Sequence, residues 1–262
     1  MIVDDATHSL VAWEEGDNRT VEGILPPEQT AVPDGTVLVV YGESLRVKED
    51  IWRAAGVAVP VFSLRSTRSC GVGDFGDLRL LVDWAVATGM KIIQLLPVND
   101  TTASRSWSDS YPYNIVSAFA LHPQYLDLNA LGPLRDKKRM TVFLRQQREL
   151  NALSYTDYEA VQRVKLDYAN EVFKDRGNQV LDSKEFKQWF TDNEDWLVPY
   201  AEWLADHSLT SHPIPLASIF FIQYNLHLQL KAAADYARQH GVSMKGDVPI
   251  GVNRESVETV TH

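Results

Sequence analysis

The spacing of apolar residues changes several times along the chain. Gly56 to Leu64 is a mostly apolar, β-branched run ending in polar Ser63 and Arg65, the pattern of a strand buried on both faces in a parallel sheet. The polar, Gly-rich stretch Ser69 to Asp77 reads as a loop, with Asp77 or Gly76 as a helix N-cap. Leu78, Leu81, Val82, Ala85 and Val86 then recur at helical spacing, and Gly89 ends the helix. Lys91 to Pro97 is a second apolar strand. Its polar continuation, Asn99-Asp100-Thr101-Thr102, falls at the carboxyl end, where α/β enzymes place their ligands. Strand, helix and strand predict one right-handed unit of a parallel sheet.

From Leu134 to about Leu209 the chain is charged and aromatic, with helical spacing and no strand-like run. The pattern predicts a helix over Asn151 to Ala169, with Tyr155, Tyr158, Val161 and Val164 or Lys165 near one face, and a second helix through Phe186, Trp189 and Phe190. Trp189, Trp196 and Trp203, seven apart, can be read as sugar platforms or as core, and helical spacing favours core. After Pro213 and Pro215 a long helix is expected from Leu216 to His240, its turns marked by Phe220, Tyr224, His227 or Leu228 and Lys231, with Gly241 closing it. Val242 to Ile250 then reads as a third parallel strand with Asp247 near its carboxyl end. Ahead of all this, residues 25–50, with Pro26, Pro27, Pro33 and Gly35, read as a linker ending in an edge strand around Val37 to Tyr41.

Charge narrows the partners. The 262 residues carry a formal charge of -10, which argues against nucleic acid or an anionic membrane, since both need a concentrated basic surface. A neutral ligand is compatible with it. Cys70 is the only cysteine, so no intramolecular disulfide forms and a reducing, cytoplasmic setting is expected. No leader-like segment opens the chain, and nowhere do eighteen apolar residues run together. Gly71 and Gly73 form a GxG, but the third glycine of a dinucleotide loop is out of place and the preceding strand ends too early. No cofactor and no metal are expected.

Four segments together are specific. FSLRS followed by GVGDFGDL, IIQLLPVNDT, DSYPYNIVSAFALHP and, far downstream, GDVPIGV at Gly246 to Val252 resemble, in order and spacing, the 4-α-glucanotransferases of glycoside hydrolase family 77. DSYPY resembles the subgroup of the plant cytosolic enzyme, which carries starch-binding modules before its barrel. Val11 to Arg19, with Trp13, is similar to the closing strand of a family 20 starch-binding module, and Trp13 in a lone strand reads more simply as packing than as a sugar platform. The implied organisation is a module remnant over 1–24, a linker over 25–50, and over 51–262 the first part of a TIM (β/α)8 barrel with a helical insertion at about 134–209.

The resemblance implies a retaining double displacement that transfers α-1,4-glucan segments between maltooligosaccharides, with glucose as an acceptor. Tyr113 resembles the family tyrosine that packs on a bound glucose ring, as an aromatic face suits the C–H face of a sugar; otherwise it is a loop tyrosine fixed by Pro112. Asp247 resembles the aspartate that opens the first signature region; otherwise it caps a turn before Pro249. Asp109 and Asn99 sit on the same expected rim, where they suit sugar hydroxyls or cap turns. The chemistry needs two carboxyl groups about 5 Å apart, and the nucleophile belongs in an Arg-x-Asp-His segment that this sequence does not contain. None of the catalytic carboxylates is assigned here. The expected consequence is a chain that is inactive alone and poorly soluble or partly molten, its apolar strand faces uncovered. An α-amylase-type hydrolase and a non-catalytic glucan-binding protein are the alternatives.

Overall fold

The computed structural model describes residues 9–12, 21–24, 53–207 and 214–261. The chain divides into two compact units, Met1–Arg53 and Ala54–His262. In the first, β1 (Ser9–Ala12) and β2 (Val21–Ile24) form an antiparallel pair. Trp13, most of the strand expected over Val11 to Arg19, and the linker with its edge strand at Val37 to Tyr41 lie outside the described residues.

The second unit is built on a three-stranded parallel sheet of β3 (Gly56–Val59), β4 (Ile92–Leu95) and β6 (Ser243–Lys245), with β4 in the centre. The register sets Val57 beside Ile93 and Met244, and Val59 beside Leu95. This row faces the core, where helices α1 (Asp77–Ala87) and α6 (Leu216–Gln239) supply Leu78, Val82, Ala85, Leu226, Ala233 and Ala237. Burying each such Leu or Val stabilises the unit by roughly 1.5–3 kcal/mol. The opposite face carries Gly56, Ala58, Ile92, Gln94, Ser243 and Lys245, where Lys245 Nζ donates to Gln94 Oε1 at 3.2 Å.

Three expectations change here. The strand expected over Gly56 to Leu64 stops at Val59 and is only partly buried, because Pro60 has no N–H to continue the ladder and the chain turns into a 3-10 segment at Val61–Ser63. The third strand stops at Lys245, so Asp247 lies in irregular chain just past it. The uncovered sheet face, with Ile92 as its one large apolar side chain, is also more polar than apolar strand faces would have left it.

The loop into α1 is tied by a reciprocal pair that resembles a capping box. Asp74 Oδ1 accepts from the N–H groups of Gly76 (3.0 Å) and Asp77 (3.3 Å), while Asp77 Oδ2 accepts from Asp74 N (3.1 Å) and Ser69 Oγ (2.8 Å). Gly76 holds the N-cap position. A Cβ on Gly73 would stand 2.1 Å from Val61 O, so this glycine serves close backbone packing. Gly89 ends α1 at φ +75°.

The insertion is helical as expected: α2 (Lys137–Asn151), α3 (Tyr158–Leu181), α4 (Lys184–Thr191) and α5 (Glu194–Asp206). The helix expected over Asn151 to Ala169 begins at Tyr158 instead, because the Asp157 side chain accepts from Ala160 N at 3.0 Å and caps it. Tyr155 is therefore exposed, whereas Tyr158, Val161, Val164 and Lys165 are buried. Trp189 and Trp203 are core residues and Trp196 packs against them. In α6 the buried face runs through Ile219, Ile222, Gln223 and Leu226; Leu228 and Lys231 are exposed.

Lys165 on α3, 1% exposed, pins this insertion to the first βα unit. Its Nζ donates to Gln124 O (2.6 Å) and Leu126 O (2.9 Å) and stands 3.6 Å from Asp74 Oδ2. Burial outweighs the ammonium and pushes the Asp74 carboxyl up from 3.8 to about 7. Lys165→Met, which strands two carbonyls and a carboxyl, is expected to cost about 3–5 kcal/mol, read as a lowered urea midpoint at unchanged slope. Asp74 holds its proton in the folded chain over a range where the unfolded chain has lost it. Its contribution is full below pH 3.8 and is lost as pH rises through about 7. Stability measured across that window should fall in the wild type and flatten in Asp74→Asn.

Candidate functional site

Past the carboxyl ends of β4 and β6 the chain leaves regular structure, and two remote segments meet. β5 (Asn114–Ile115) runs parallel to β7 (Gly251–Val252), with Asn114 beside Gly251 and Ile115 beside Val252. Asn253 N donates to Ile115 O (2.8 Å) and Val257 N to Val116 O (2.9 Å), carrying the seam into helix α7 (Val257–Thr261). Gly251 is required for this approach, since a Cβ there would lie 2.3 Å from Tyr113 O. Glu258 closes the seam, its Oε1 accepting from Ala118 N (2.6 Å) and Ser117 Oγ (3.0 Å).

This seam brings Tyr113 to Asp247 across 134 residues of sequence: Tyr113 Oη donates to Asp247 Oδ2 at 2.8 Å. The bond to the carboxylate raises the phenol above its ordinary value of 10.0. Asp247 Oδ1 accepts from Val248 N at 3.1 Å, which settles the carboxylate's orientation. Both side chains remain partly open, and exposed Tyr111 stands with its ring centroid 5.7 Å from that of Tyr113. Around them Val248 (76% exposed) and Ile250 (91%) face outward. The arrangement offers an aromatic face beside a fixed carboxylate, a combination suited to a ligand with one apolar and one hydroxylated side.

The other two expected rim residues are placed differently. Asp109 is 5% exposed and turned inward. Its carboxylate accepts from Ala103 N (3.1 Å), Ser104 N (2.8 Å), Arg105 N (2.5 Å) and Ser104 Oγ (3.0 Å), holding Arg105 at φ +58°. In this structure it organises the loop, the turn-capping one of its two expected roles. Asn99 Nδ2 donates to Ala118 O at 2.7 Å, tying it to the segment that follows Tyr113. Neither hydrogen-bonds to the Tyr113–Asp247 pair.

Behind the rim lies a buried polar knot that joins Asp100 and Thr102 of this loop to side chains remote in sequence. Asp100, fully buried, accepts from Tyr200 Oη (2.7 Å) on its Oδ2 and from Thr102 Oγ1 (2.6 Å) and Thr102 N (3.0 Å) on its Oδ1. His122 Nδ1 accepts from Gln124 N at 3.2 Å and its Nε2 meets Tyr158 Oη at 2.9 Å; burial holds this imidazole below its ordinary 6.5, hence neutral. A polar residue directly past a predicted buried strand was the one available signal for Asp100. A cavity of about 680 Å³ lies behind this knot between α3, α5 and α6, with Gln162, Leu166, Leu204, Ile219 and Gln223 among its walls. Tyr113 and Asp247 do not line it. Among the described residues, no group of three or more His, Cys, Asp or Glu side chains is placed to hold a metal ion, and no helix is long and apolar enough to cross a membrane.

Comparison with known proteins bears on this geometry. The family described as 4-alpha-glucanotransferase (Glyco_hydro_77) matches residues 59–213 and 209–262. A 4-alpha-glucanotransferase DPE2 of Oryza sativa subsp. japonica is 42% identical over 245 residues, covering 81% of this chain and 25% of the rice protein. A 4-alpha-glucanotransferase of Chlamydia trachomatis is 29% identical over 227 residues, covering 78% of this chain and 42% of its own length. The chain thus spans between a quarter and a half of these relatives. In solved structures the fold matches an amylomaltase from Corynebacterium glutamicum at TM-score 0.66 and 21% identity, covering 79% of this chain and 32% of that one. It also matches an amylomaltase from Streptococcus agalactiae in complex with acarbose, at TM-score 0.61 and 21% identity, covering 79% and 45%. The parallel βα units and helical insertion are therefore the amylomaltase fold, and the sequence match over most of residues 59–262 shows that the chain belongs to the 4-alpha-glucanotransferase family, glycoside hydrolase family 77.

Proposed function

We propose that this chain forms part of the glucan-binding rim of a 4-α-glucanotransferase, with Tyr113 as the platform for a glucose ring and Asp247 as the carboxylate that orients it. The single observation that carries the reading is the 2.8 Å bond between Tyr113 Oη and Asp247 Oδ2. It joins two of the segments on which the family resemblance rests. A ring seated on Tyr113 presents its C–H face to the phenol and its hydroxyls to the acceptor oxygens beside it. The reaction in this reading is retaining transfer between α-1,4-glucans and maltooligosaccharides, with glucose among the acceptors. Its two carboxyl groups, about 5 Å apart, come from residues other than those assigned here, since the chain has no Arg-x-Asp-His segment.

The antiparallel pair β1–β2, in a unit distinct from the rest, supports reading residues 1–24 as the remnant of a starch-binding module, with 25–50 as linker. The single, buried Cys70 supports a cytoplasmic setting.

Two measurements test the reading. Isothermal titration with maltoheptaose should give about a tenfold weaker Kd for Tyr113→Ala, the scale of one lost aromatic contact, and a weakened Kd for Asp247→Asn, whereas Asp109→Asn should lower the melting temperature first. Equal affinity in Tyr113→Ala and wild type would sink the assignment. Incubated with maltotriose, the 262-residue chain alone should produce no chain-length redistribution; longer and shorter products would place the catalytic carboxylates within it.

A further inference from the structure

We propose that Tyr200, on α5 of the helical insertion, is a positioning residue for the rim: through Asp100 it sets the segment that carries Tyr113. The proposal rests on the reading of Tyr113 and Asp247 as the glucan-binding pair.

Asp100 stands where β4 has ended and only short ladders remain. Its backbone is the frame for the segment after Tyr113: Val116 N donates to Asp100 O and Asp100 N to Ala120 O, both at 2.8 Å. Three residues before Val116 is Tyr113, and β5, the only strand between them, is two residues long. Whatever fixes Asp100 therefore fixes the reach of Tyr113 toward Asp247.

Four donors and acceptors surround the Asp100 side chain, and one comes from the insertion. Thr102 supplies two donors from the same loop, which moves with Asp100 and cannot anchor it. His122, 3.9 Å away through Nδ1, is held neutral and uses that nitrogen to accept from Gln124 N. Tyr200 Oη is the remaining donor, 2.7 Å from Oδ2 and borne on α5 of the insertion, a separate element from the Asp100 loop. Tyr200 is fully buried, and its ring packs in one apolar cluster with Val116, Ala120, Ile219 and Val257. Phenylalanine would fill that space equally well, so the hydroxyl is accounted for by Asp100. Gln223 on α6 completes the arrangement: it accepts from Leu121 N (2.9 Å), donates to Leu121 O (2.8 Å) and lies 3.5 Å from Tyr200 Oη. Asp100, held by Tyr200 of the insertion, and Gln223 of α6 thus hold the two ends of residues 116–121.

The test is Tyr200→Phe in the full chain, read by the titration of the Tyr113 phenol with carbon-13-labelled tyrosine, by the Kd for maltoheptaose, and by far-UV circular dichroism. The expected result is a Tyr113 titration that moves down toward its ordinary value of 10.0 as the bond to Asp247 loosens, with about tenfold weaker glucan binding and an unchanged helical spectrum. Trp203→Phe, which disturbs the same apolar cluster without reaching Asp100, should leave the titration in place. If Tyr200→Phe does not fold, Asp100→Asn reads the same titration. An unmoved Tyr113 titration in a folded variant overturns the proposal, even where Tyr113→Ala weakens glucan binding. A moved titration with glucan affinity unchanged in both Tyr200→Phe and Tyr113→Ala supports the coupling and overturns the glucan reading instead.

Discussion

Strand β4 is paired on both sides, to β3 and to β6, and all three run in the same direction. Parallel strands cannot be joined by tight turns, so each needs a crossover. The crossovers return every strand to the same starting edge and leave the carboxyl ends together. For this chain that single constraint gathers the loop after Leu95 and the loop after Lys245 at one end of the sheet. The site follows from it. Tyr113 and Asp247 are remote in sequence because a crossover of more than a hundred residues, most of it helix, separates two adjacent strands.

The rim itself is irregular chain, and its organisation follows from the need to pair buried backbone groups. Residues 113–121 find partners in a two-residue parallel ladder, in the Asp100 backbone, in the Gln223 amide and in the Glu258 carboxylate. Side chains here substitute for strands. Such a surface depends on identified groups, Asp100, Ser117, Gln223 and Glu258, and is correspondingly sensitive to them. The insertion, which contributes no residue to the Tyr113–Asp247 pair, is part of this support. Its attachment through Lys165 and through Tyr200 distinguishes it from an appended helical domain.

How much of this was legible differs between residues. The βα unit from Leu78 to Leu95, the helical character of 137–206 and the long helix ending at Gln239 all follow from local periodicity, because one face of each element is buried and the other is not. The limits of the strands did not follow. Pro60 cut the first one short, and the alternation of Gly56 and Ala58 against Val57 and Val59 shows a strand with one covered face, where the apolar run had suggested two. Tyr113 and Asp247 were singled out by the segments around them, and the fold brings the two side chains together. For Asp109 the sequence left two roles open, because its type says nothing about which way the carboxylate turns; in the fold it turns onto the amides of Ala103, Ser104 and Arg105.

What the sequence determined by itself was local: which stretches are helical, which runs are apolar, and which short segments mark the family. Those properties depend on neighbours within a few residues and are written in consecutive letters. What the tertiary structure decided was pairing: Tyr113 with Asp247, Tyr200 with Asp100, Lys165 with the carbonyls of Gln124 and Leu126. These partners lie from 39 to 134 residues apart. A hydrogen bond needs its two heavy atoms within about 3 Å of each other, and that proximity exists only after the sheet has brought its carboxyl ends together.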